Sequence, residues 1–233
     1  AAGRTVINCD TPEPCLLVNK LNQAGFKSLQ FMGASDSLLK ISDTPMVTIT
    51  DCVFFNNSGS LGGALSVINS TDLELFDTIF ESNSAASHGG AIYIPYGTIV
   101  ADNCQFLSNT AGGGGGAIYW STNEPTLSNV IFTDNHALYG DDLATAMVDT
   151  AFVSPLSANL SSGELVYCVD GDHLQVEVID AYGNRVRTQQ LMVVSFMVFD
   201  IGGTISPVAV PAQFSNFDSQ GVIEATDLRV RLH

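Results

Sequence analysis

Apolar and polar positions alternate in short runs along the middle of this chain, and the same pattern returns at a fixed interval. A phenylalanine recurs every 26 residues, an asparagine follows it by three, and a Gly-Gly pair stands further on. The recurring residues are Phe54, Phe80, Phe106 and Phe132; Asn57, Asn83, Asn109 and Asn135; and Gly62-Gly63, Gly89-Gly90 and Gly115-Gly116. In the fourth copy Asp141-Asp142 replaces the glycines, as is typical of the last unit of a repeat array.

The segments between the glycines predict strands. Residues 91–94 and 98–101 are rich in Ile, Val, Tyr and Thr, and Gly and Asn punctuate the pattern every few residues. A coil of short strands with one turn per 26 residues fits both facts, because neighbouring turns would stack about 4.8 Å apart. Inward positions would then form columns of identical side chains, with phenylalanine in the core and asparagine bonding along the stack. The pattern predicts an all-β fold, a parallel β-helix.

The paired motifs Gly-Gly-Ala-Ile and Phe-x-x-Asn resemble the repeats of the polymorphic outer membrane protein family, which includes bacterial surface adhesins and large surface proteins of protists. The resemblance covers about residues 47–145. It implies a right-handed β-helix exposed outside the cell, with adhesive or structural duties. Residues 1–46 lack the motifs and are interpreted as a cap plus one or two irregular rungs. A cap is expected because an open β-helix end is an unpaired edge. The first domain would therefore span residues 1–148.

A second domain is predicted over residues 149–233, where the 26-residue rhythm has stopped. Residues Leu174 to Val178 alternate as a half-buried strand and a turn signal follows, and the segment from Val176 to Val186 resembles bacterial-type immunoglobulin-like domains. The resemblance implies an immunoglobulin-like β-sandwich. The domain, counted from about residue 163, is shorter than the roughly 100 residues typical of such sandwiches, so either its last strand is missing or it has fewer strands.

A missing strand would leave a groove that strand addition from another chain could fill. The apolar run Thr5-Val6-Ile7 is one candidate donor. Subunits joined head to tail in this way would form an open filament.

Charge excludes several partners. The net charge is −16, and no lysine or arginine stands between Lys40 and Arg185, so phosphate backbones would be repelled and nucleic acid is not expected as a partner.

No apolar run approaches the roughly 20 residues of a spanning helix, so membrane insertion is not expected. Asp170-Gly171-Asp172 and Asp141-Asp142 are interpreted as turn residues, and no metal or cofactor is predicted.

Five cysteines cannot all pair within one chain. Cys9 and Cys15 flank a proline-rich loop and are predicted to form a local disulfide if the chain is secreted. Cys52 and Cys104 occupy the same repeat position with Thr78 between them, which would place them two rungs, or about 9.6 Å, apart. That separation exceeds the roughly 7 Å limit for a disulfide, so buried free thiols are expected. Cys168 is left as a buried thiol or an intermolecular partner.

Export is supported by three glycosylation sequons, at Asn56, Asn69 and Asn159. The chain opens with Ala1-Ala2-Gly3, as a mature chain would after cleavage behind small residues. An extracellular or cell-surface location is therefore predicted.

Catalytic chemistry is not expected, although parallel β-helices often belong to polysaccharide lyases and hydrolases. Lyases need a strong base, and no Lys or Arg is present in the repeats from residue 41 onward. The carboxylates of the repeats are expected to sit singly at turns and not to fall in one column: Asp51, Asp72, Asp77, Asp102 and Asp134. The four histidines, His88, His136, His173 and His233, lack ligand spacing. The run Gly112–Gly116 lacks the Lys of a phosphate loop and predicts a flexible turn.

The leading hypothesis is a secreted, non-enzymatic structural protein that assembles with copies of itself into a filament or surface layer. The alternative is an adhesin that binds a protein or glycan through one face of the β-helix. A sugar-stacking face could be formed by four aromatic side chains, although such residues on strands more often pack within the sheet: Tyr93, Tyr96, Tyr119 and Trp120. A polysaccharide lyase or hydrolase is the third and least favoured hypothesis.

Overall fold

The computed structural model describes residues 4–9, 14–69 and 71–146, and beyond them 149–152, 159–161, 164–166, 174–186, 196–198, 208–210, 213–214, 222–226 and 229–231. These residues form strands, turns and bends, and no helix occurs among them. The chain divides into two compact units. The first comprises Ala1–Met147 together with Asp180–Asn184, and the second comprises Val148–Ile179 and Arg185–His233.

The described residues of the first unit form twenty short strands. In chain order they are β1 (Thr5–Asn8), β2 (Leu16–Asn19), β3 (Ala24–Lys27), β4 (Leu29–Met32), β5 (Leu39–Ser42), β6 (Met46–Thr50), β7 (Val53–Phe55), β8 (Ser58–Gly59), β9 (Leu65–Ile68), β10 (Thr71–Phe76), β11 (Ile79–Glu81), β12 (Ser84–Ala85), β13 (Ile92–Ile94), β14 (Gly97–Asp102), β15 (Gln105–Leu107), β16 (Thr110–Ala111), β17 (Ile118–Trp120), β18 (Thr126–Ser128), β19 (Ile131–Thr133) and β20 (Leu143–Thr145).

Every strand of this unit pairs in parallel with its equivalent in the neighbouring rung, which makes a parallel β-solenoid of about five turns. Three long sheets form its sides. Sheet 1 is β1-β4-β7-β11-β15-β19, sheet 2 is β3-β6-β10-β14-β18, and sheet 3 is β2-β5-β9-β13-β17-β20. A narrow fourth sheet, β8-β12-β16, joins sheet 1 to sheet 3. The predicted all-β parallel β-helix is therefore confirmed for the repeats.

The phenylalanines of sheet 1 form a column through the core. Phe54, Phe80 and Phe106 are fully buried, and their rings stack with centroids 4.8 and 4.9 Å apart. That spacing equals the distance between hydrogen-bonded strands, so backbone pairing and ring stacking are satisfied together. Phe132 ends the column, with its ring centroid 5.2 Å from that of Phe106.

The asparagines three residues later form a second column, which is polar and buried. In its centre, the Oδ1 atom of Asn83 accepts hydrogen bonds from the backbone N–H of Asn57 (3.2 Å) and from its side-chain amide (3.0 Å). The Asn83 amide donates to the carbonyl of Phe54 and to Oδ1 of Asn109, both at 3.0 Å. Each side-chain amide donates two hydrogen bonds and accepts others through its oxygen. The free-energy cost of burying these polar groups is therefore small.

Residues in the left-handed backbone conformation turn the chain at the corners of each rung. Their φ angles lie between 49° and 71°, a region in which Gly, Asn and Asp are the least strained. One corner column precedes sheet 1 and contains Ser28, Asp51, Asp77, Asn103 and Asn129; a second follows sheet 1 and contains Asn56, Ser82, Ser108 and Asp134; a third precedes sheet 3 and contains Gly62, Gly89, Gly115 and Gly140. The periodic Asn, Asp and Gly residues therefore reflect a requirement of backbone geometry.

Residues 1–46 were interpreted as a cap plus one or two irregular rungs, and the structure shows the rungs. From Thr5 onward, the described part of this segment forms two rungs of the same solenoid, and Phe31 pairs with Phe54 as a member of the phenylalanine column. Their rings stack with centroids 5.1 Å apart. The offset of Phe31 from Phe54 is 23 residues, because the connection from Met32 to sheet 3 is shorter than in later rungs. A search at constant period therefore missed it.

The second unit is described mainly as backbone strands. They are β21 (Asp149–Phe152), β22 (Asn159–Ser161), β23 (Glu164–Val166), β24 (Leu174–Ile179), β25 (Phe196–Val198), β26 (Val208–Val210), β27 (Gln213–Phe214), β28 (Val222–Thr226) and β29 (Arg229–Arg231). All their pairings are antiparallel, in the orders β21-β24-β28-β27, β22-β23-β29 and β25-β26. Most of the predicted sandwich's turns and its terminal residues lie outside the described residues.

Replacing Asn83 with leucine is expected to lower the free energy of unfolding by about 3 kcal/mol, since each buried polar group that loses its partner costs roughly 1–3 kcal/mol. In this variant the two N–H donors of Asn57 and the carbonyl of Phe54 would lose the Asn83 side chain as their hydrogen-bond partner. Urea unfolding followed by circular dichroism measures the change. The matched control is Asn123→Leu, at an exposed residue that donates to the carbonyl of Gly97, where less than about 0.5 kcal/mol is expected. Equal losses in the two variants would contradict the role assigned to the column.

Candidate functional site: the outer faces of the solenoid

The outward side chains of sheet 1 form a surface that we call the apolar face. On each strand the two residues beside the inward residue of the column point outward, because side chains alternate along a strand. They form two columns: Val6, Gln30, Val53, Ile79, Gln105 and Ile131; and Asn8, Met32, Phe55, Glu81, Leu107 and Thr133.

The apolar face carries a single charged residue, Glu81, although the whole chain has a net charge of −16. Its central apolar members are partly exposed, and at its two ends Val6 is 55% exposed and Ile131 is 53% exposed. Five of its twelve outward residues are polar, so the face is a mixed surface and not a continuous apolar patch: Asn8, Gln30, Glu81, Gln105 and Thr133.

The outward side of sheet 2 is polar by comparison. Thr48 donates a hydrogen bond to Glu74 across one rung (3.1 Å), and Thr98 donates to Asp72 across another (2.6 Å). These hydrogen bonds connect side chains of neighbouring rungs within the same solenoid. Sheet 2 therefore presents an ordinary hydrated surface.

Sheet 3 carries a cluster of aromatic rings near its C-terminal end. The ring of Tyr119 stacks with that of Tyr93 (centroids 5.6 Å apart) and with that of His88 (4.5 Å), and Tyr139 meets His88 edge-on. Tyr119 and Tyr139 are buried, with 7% and 8% of their surface exposed, whereas Tyr93 is partly exposed. Most of the cluster therefore packs within the protein.

The other two candidate aromatic residues lie at opposite extremes of burial. Tyr96 stands at the next corner and is 58% exposed. Trp120 is 7% exposed and packs into the core, and its indole N–H donates to the Tyr182 hydroxyl (2.9 Å). The structure thus leaves Tyr93 and Tyr96 as the accessible part of the predicted sugar-stacking face.

The glycine run 112–116 makes room for the aromatic cluster, which the sequence did not predict. A Cβ atom on Gly113 would overlap the imidazole of His88, and one on Gly114 would overlap the ring of Tyr139. The backbone N–H of Gly114 also donates to Nδ1 of His88 (3.0 Å). The run is therefore a packing surface for two rings.

Burial governs the ionisation of the cluster. Desolvation lowers the pKa of His88 and raises the pKa values of Tyr93, Tyr119 and Tyr139. The imidazole is consequently favoured in its neutral form, with Nδ1 free of a proton and able to accept the hydrogen bond from Gly114. Burial therefore favours the neutral form of every ring in the cluster.

The turn from Asp180 to Asn184 closes one edge of sheet 3. Asp180 is 1% exposed; its carboxylate accepts a hydrogen bond from the backbone N–H of Thr145 (3.1 Å), and the Asn184 amide donates to the carbonyl of Leu143 (3.2 Å). Both backbone groups belong to β20 and point to where the next rung would pair. The turn was predicted as part of the second domain, but it packs with the solenoid. Its side chains make the hydrogen bonds to β20 that the backbone of another rung would have made.

Asp141 and Asp142 end the asparagine column. The carboxylate of Asp142 accepts a hydrogen bond from the Asn135 amide (3.0 Å), and that of Asp141 accepts one from the N–H of Ala137 (3.0 Å). Asn135 has no following asparagine, so Asp142 supplies the acceptor that another rung would have provided. The expectation that Asp141-Asp142 replaces both glycines was wrong, because Gly140 keeps the first glycine position in the left-handed conformation; Asp141 stands at the second glycine position and Asp142 at that of the following alanine.

The five carboxylates do not fall in one column. Asp51 and Asp77 occupy successive positions of the corner before sheet 1, and Asp134 stands at the corner after it. Asp72 and Asp102 lie on strands of sheet 2, so the expected place at a turn was wrong for these two. The two aligned carboxylates are each bonded to their own partners: Asp51 to Arg4 (2.6 Å) and Ser28 (2.8 Å), and Asp77 to the Asn103 amide (2.6 Å). Hydrogen bonds from Ser28 and Arg4 lower the pKa of Asp51.

The cysteines of the first unit have distinct environments. Cys9 and Cys15 form a disulfide, with their Cα atoms 5.6 Å apart. Cys52 and Cys104 are free, fully buried thiols, and the hydroxyl of Thr78 accepts a hydrogen bond from the Cys52 backbone. Burial raises the pKa of both thiols, which makes them poor nucleophiles. Cys168 lies outside the described residues.

Two sequon asparagines, Asn56 and Asn69, are exposed corner residues in the left-handed conformation. The Asn69 amide donates to the carboxylate of Asp43 (2.7 Å). Asn159 belongs to β22, and its side chain is not among those described. Since the corner favours asparagine for backbone reasons alone, these positions explain the residue type without a glycan.

Within the described ranges, no group of three or more His, Cys, Asp or Glu is arranged to hold a metal ion. The described part of the chain also contains no helix of the length and apolarity that crossing a bilayer requires.

Family comparison agrees with the repeat architecture. The model of the Chlamydia polymorphic membrane protein repeat matches residues 77–95 and 103–119. Each matched segment begins at the corner before sheet 1 and reaches a strand of sheet 3. Each contains one Phe, one Asn and one Gly-Gly pair of the columns described above. The chain thus contains β-helix repeats of this type, which suggest a surface-exposed protein and are consistent with a location at the cell surface. No curated protein and no solved structure matches the chain.

Replacing Gly114 with alanine is expected to lower the free energy of unfolding by about 1–3 kcal/mol, because the added methyl group must displace the Tyr139 ring. Chemical denaturation measures the loss. In Gly25→Ala the new Cβ atom would lie 3.8 Å from its nearest neighbour, the carbonyl of Thr48, and no loss is expected there. A second Tyr139→Leu substitution should restore part of the stability lost at Gly114, and failure to do so would argue against the overlap.

The stability of the solenoid is expected to decrease with acidification through His88. Its pKa is depressed by burial, so the unfolded chain takes up a proton near pH 6.5 while the folded protein does not. The stabilisation is complete above about pH 6.5 and is lost as the pH falls through the folded-state pKa. The rings facing His88, Tyr119 and Tyr139, stay neutral over this range.

His88→Gln, which cannot titrate, should flatten the dependence of the unfolding free energy on pH between about 5 and 7. Urea titrations at several pH values compare this slope with that of the parent chain. Identical slopes would show that His88 does not contribute.

Proposed function

We propose that this chain is an extracellular, non-enzymatic structural protein that assembles with copies of itself at a cell surface. The observation that carries the proposal is the filled and hydrogen-bonded interior of the solenoid. Its inward columns consist of Phe, Asn and aliphatic residues at or near zero exposure, and the asparagine column satisfies its own amides. Such an interior gives a stiff rod whose variable chemistry lies on its outer faces.

The character of the polar groups supports a role without catalysis. Lys and Arg are missing from the repeats in sequence, and the aligned carboxylates at Asp51 and Asp77 are each bonded to a structural partner. A glycan-cleaving site needs a free acid and base across a substrate cleft. The proposal therefore assigns these carboxylates to corner geometry.

For the assembly itself we retain the head-to-tail contact predicted from the second domain. That domain is proposed to be an immunoglobulin-like sandwich short of one strand, which a neighbouring copy completes by strand addition. The run Thr5-Val6-Ile7 is not the donor, because it lies in β1 and pairs with β4 of its own solenoid. Another segment of the chain must provide the strand.

An adhesin that binds a glycan is the second candidate, and the exposure of Tyr96 favours it. With the partly exposed ring of Tyr93, which stacks on Tyr119, Tyr96 offers aromatic surface near the corner after sheet 3. Aromatic faces of this kind pack against sugar rings. N-linked glycans at Asn56 and Asn69 are also proposed, since both asparagines are exposed.

Sedimentation velocity and negative-stain microscopy of the full chain test the structural proposal. Concentration-dependent growth into elongated particles is expected, together with no cleavage of pectin or other acidic glycans. A monomer at the highest soluble concentration would refute the assembly, and if that monomer bound immobilised glycans, with binding lost in Tyr96→Ala and kept in Val100→Ala, the adhesin would be favoured. Val100 is a matched exposed control, at 39% exposure.

A further inference from the structure

We infer that Asn69 carries an N-linked glycan whose first sugar packs on a small apolar surface of the same solenoid. This surface, which we call the apolar corner, consists of Ile68 and Tyr96. The inference rests on the N-linked glycans of the proposed function and assigns to one of them a contact within the chain. A Tyr96 ring covered in this way is not available to an external glycan, so the inference argues against the adhesin candidate.

The apolar corner adjoins Asn69 because neighbouring rungs are stacked in register. Ser66 of β9 pairs with Tyr93 of β13. Three residues further along the two segments stand Asn69 and Tyr96, at the same corner and about one inter-strand spacing, 4.8 Å, apart. Tyr96 is 58% exposed, and Ile68, directly before Asn69, is 48% exposed. Single exposed apolar residues need no partner, but these two border a glycosylation sequon on both sides.

The sequon of Asn69 contains a hydroxyl that the folded protein does not use. Thr71, the third residue of Asn69-Ser70-Thr71, is 0% exposed. Its Oγ1 atom is the one buried side-chain polar atom without a hydrogen-bond partner among the residues that the structure describes. An unpaired buried hydroxyl lowers stability, and valine would fill the same space without it. Because N-glycosylation requires Ser or Thr at this position, recognition of the chain before this rung folds explains the hydroxyl.

The sequon at Asn56 differs in both respects. Its third residue, Ser58, donates a hydrogen bond to the carbonyl of Ala34 (3.2 Å), so this hydroxyl has a structural partner. The corner residues in the rungs on either side of Asn56 are Gly33 and Ser82, which offer no apolar side chain across the corner. Asn56 is therefore an internal control for a glycan that extends into solvent.

The attachment step needs an activated sugar, which a lipid-linked diphosphate donor supplies. The Nδ2 atom of Asn69 forms a bond to C1 of an N-acetylglucosamine, and the bond from C1 to the phosphate oxygen breaks. The lipid diphosphate leaves with the electron pair of that bond, and one amide proton is lost to solvent. The second amide hydrogen remains, so the bond from the Asn69 amide to Asp43 (2.7 Å) can be kept.

Covalent attachment is what makes so small a surface sufficient. A sugar ring packs its C–H face against an aromatic ring, and each such contact is weak. The bond to Asn69 holds the sugar beside Tyr96 at a high effective concentration, so the contact forms without a large interface. The first sugar is uncharged, and the net charge of −16 does not repel it.

The test compares one polypeptide with and without its glycan. The full chain with Asn56→Gln and Asn159→Gln, which keeps only the sequon at Asn69, is secreted by a eukaryotic cell or exported to a bacterial periplasm that lacks N-glycosylation. Peptide mass spectrometry measures the occupancy of Asn69. Urea unfolding measures the unfolding equilibrium constant after the glycan is trimmed to one N-acetylglucosamine. The sugar should lower that constant about five- to tenfold, and in Tyr96→Ala by less than about twofold.

Three controls accompany this comparison. Ile131→Ala removes an exposed apolar side chain of sheet 1 and should leave the effect of the sugar unchanged. A reciprocal chain with Asn69→Gln and Asn159→Gln, which keeps only the sequon at Asn56, should show no dependence on Tyr96. Thr71→Val should abolish the occupancy of Asn69. In the chain without glycan it should lower the unfolding equilibrium constant, because a methyl group replaces the unpaired hydroxyl.

The outcomes separate this inference from the proposed function. An occupied Asn69 whose effect on stability disappears in Tyr96→Ala supports the inference. An effect that is independent of Tyr96 overturns the contact and leaves the N-linked glycans standing. An unmodified Asn69 beside a modified Asn56 overturns the inference and leaves the glycan at Asn56, whereas two unmodified sites overturn the proposed glycans as well. A loss of stability in unglycosylated Thr71→Val would give the hydroxyl a structural role and overturn its assignment to the attachment step.

Discussion

The structure depends on the match between the spacing of hydrogen-bonded strands and the distances at which aromatic rings and amides contact one another. Parallel pairing places equivalent residues about 4.8 Å apart. The rings of Phe54 and Phe80 stack at 4.8 Å, and the same step lets the Asn57 amide reach Oδ1 of Asn83 at 3.0 Å. Because one distance satisfies backbone, apolar and polar contacts together, a sequence that repeats in register packs a complete core.

This constraint explains why the outer faces differ while the interior does not. An inward side chain must pack against the inward side chains of both neighbouring rungs, whereas an outward side chain only has to avoid a steric clash with its neighbours. Sheet 1 could therefore acquire a mixed apolar and polar exterior, sheet 2 a threonine-rich and acidic one, and sheet 3 an aromatic cluster. The glycine run 112–116 shows the limit of this freedom, since His88 and Tyr139 fit only where the intervening rung has no side chains. Function in such a molecule is expected on its faces.

The same stacking makes the ends of the solenoid its weak points. A rung without a successor leaves backbone groups and column amides unpaired. At this end Asp142 accepts the last asparagine amide, and Asp180 with Asn184 bonds the exposed edge of β20. Side chains thus replace the contacts that another rung would have made. Because residues 180–184 come from beyond the repeats in sequence, the solenoid is completed by a segment far along the chain.

The sequence alone determined the repeating core of this protein. Constant spacing identified Phe54 to Phe132 and Asn57 to Asn135 as columns, and those columns imply stacked parallel strands, because no other arrangement puts identical residues in contact at a fixed period. Only the tertiary structure showed which segments that break the 26-residue period still pack as part of the solenoid. Phe31 joins the column although its rung is shorter, the glycine run serves as a cradle for rings, and the turn at Asp180 docks on the solenoid. These contacts join residues whose separation follows no repeat, so their partners could be identified only once the chain had folded around them.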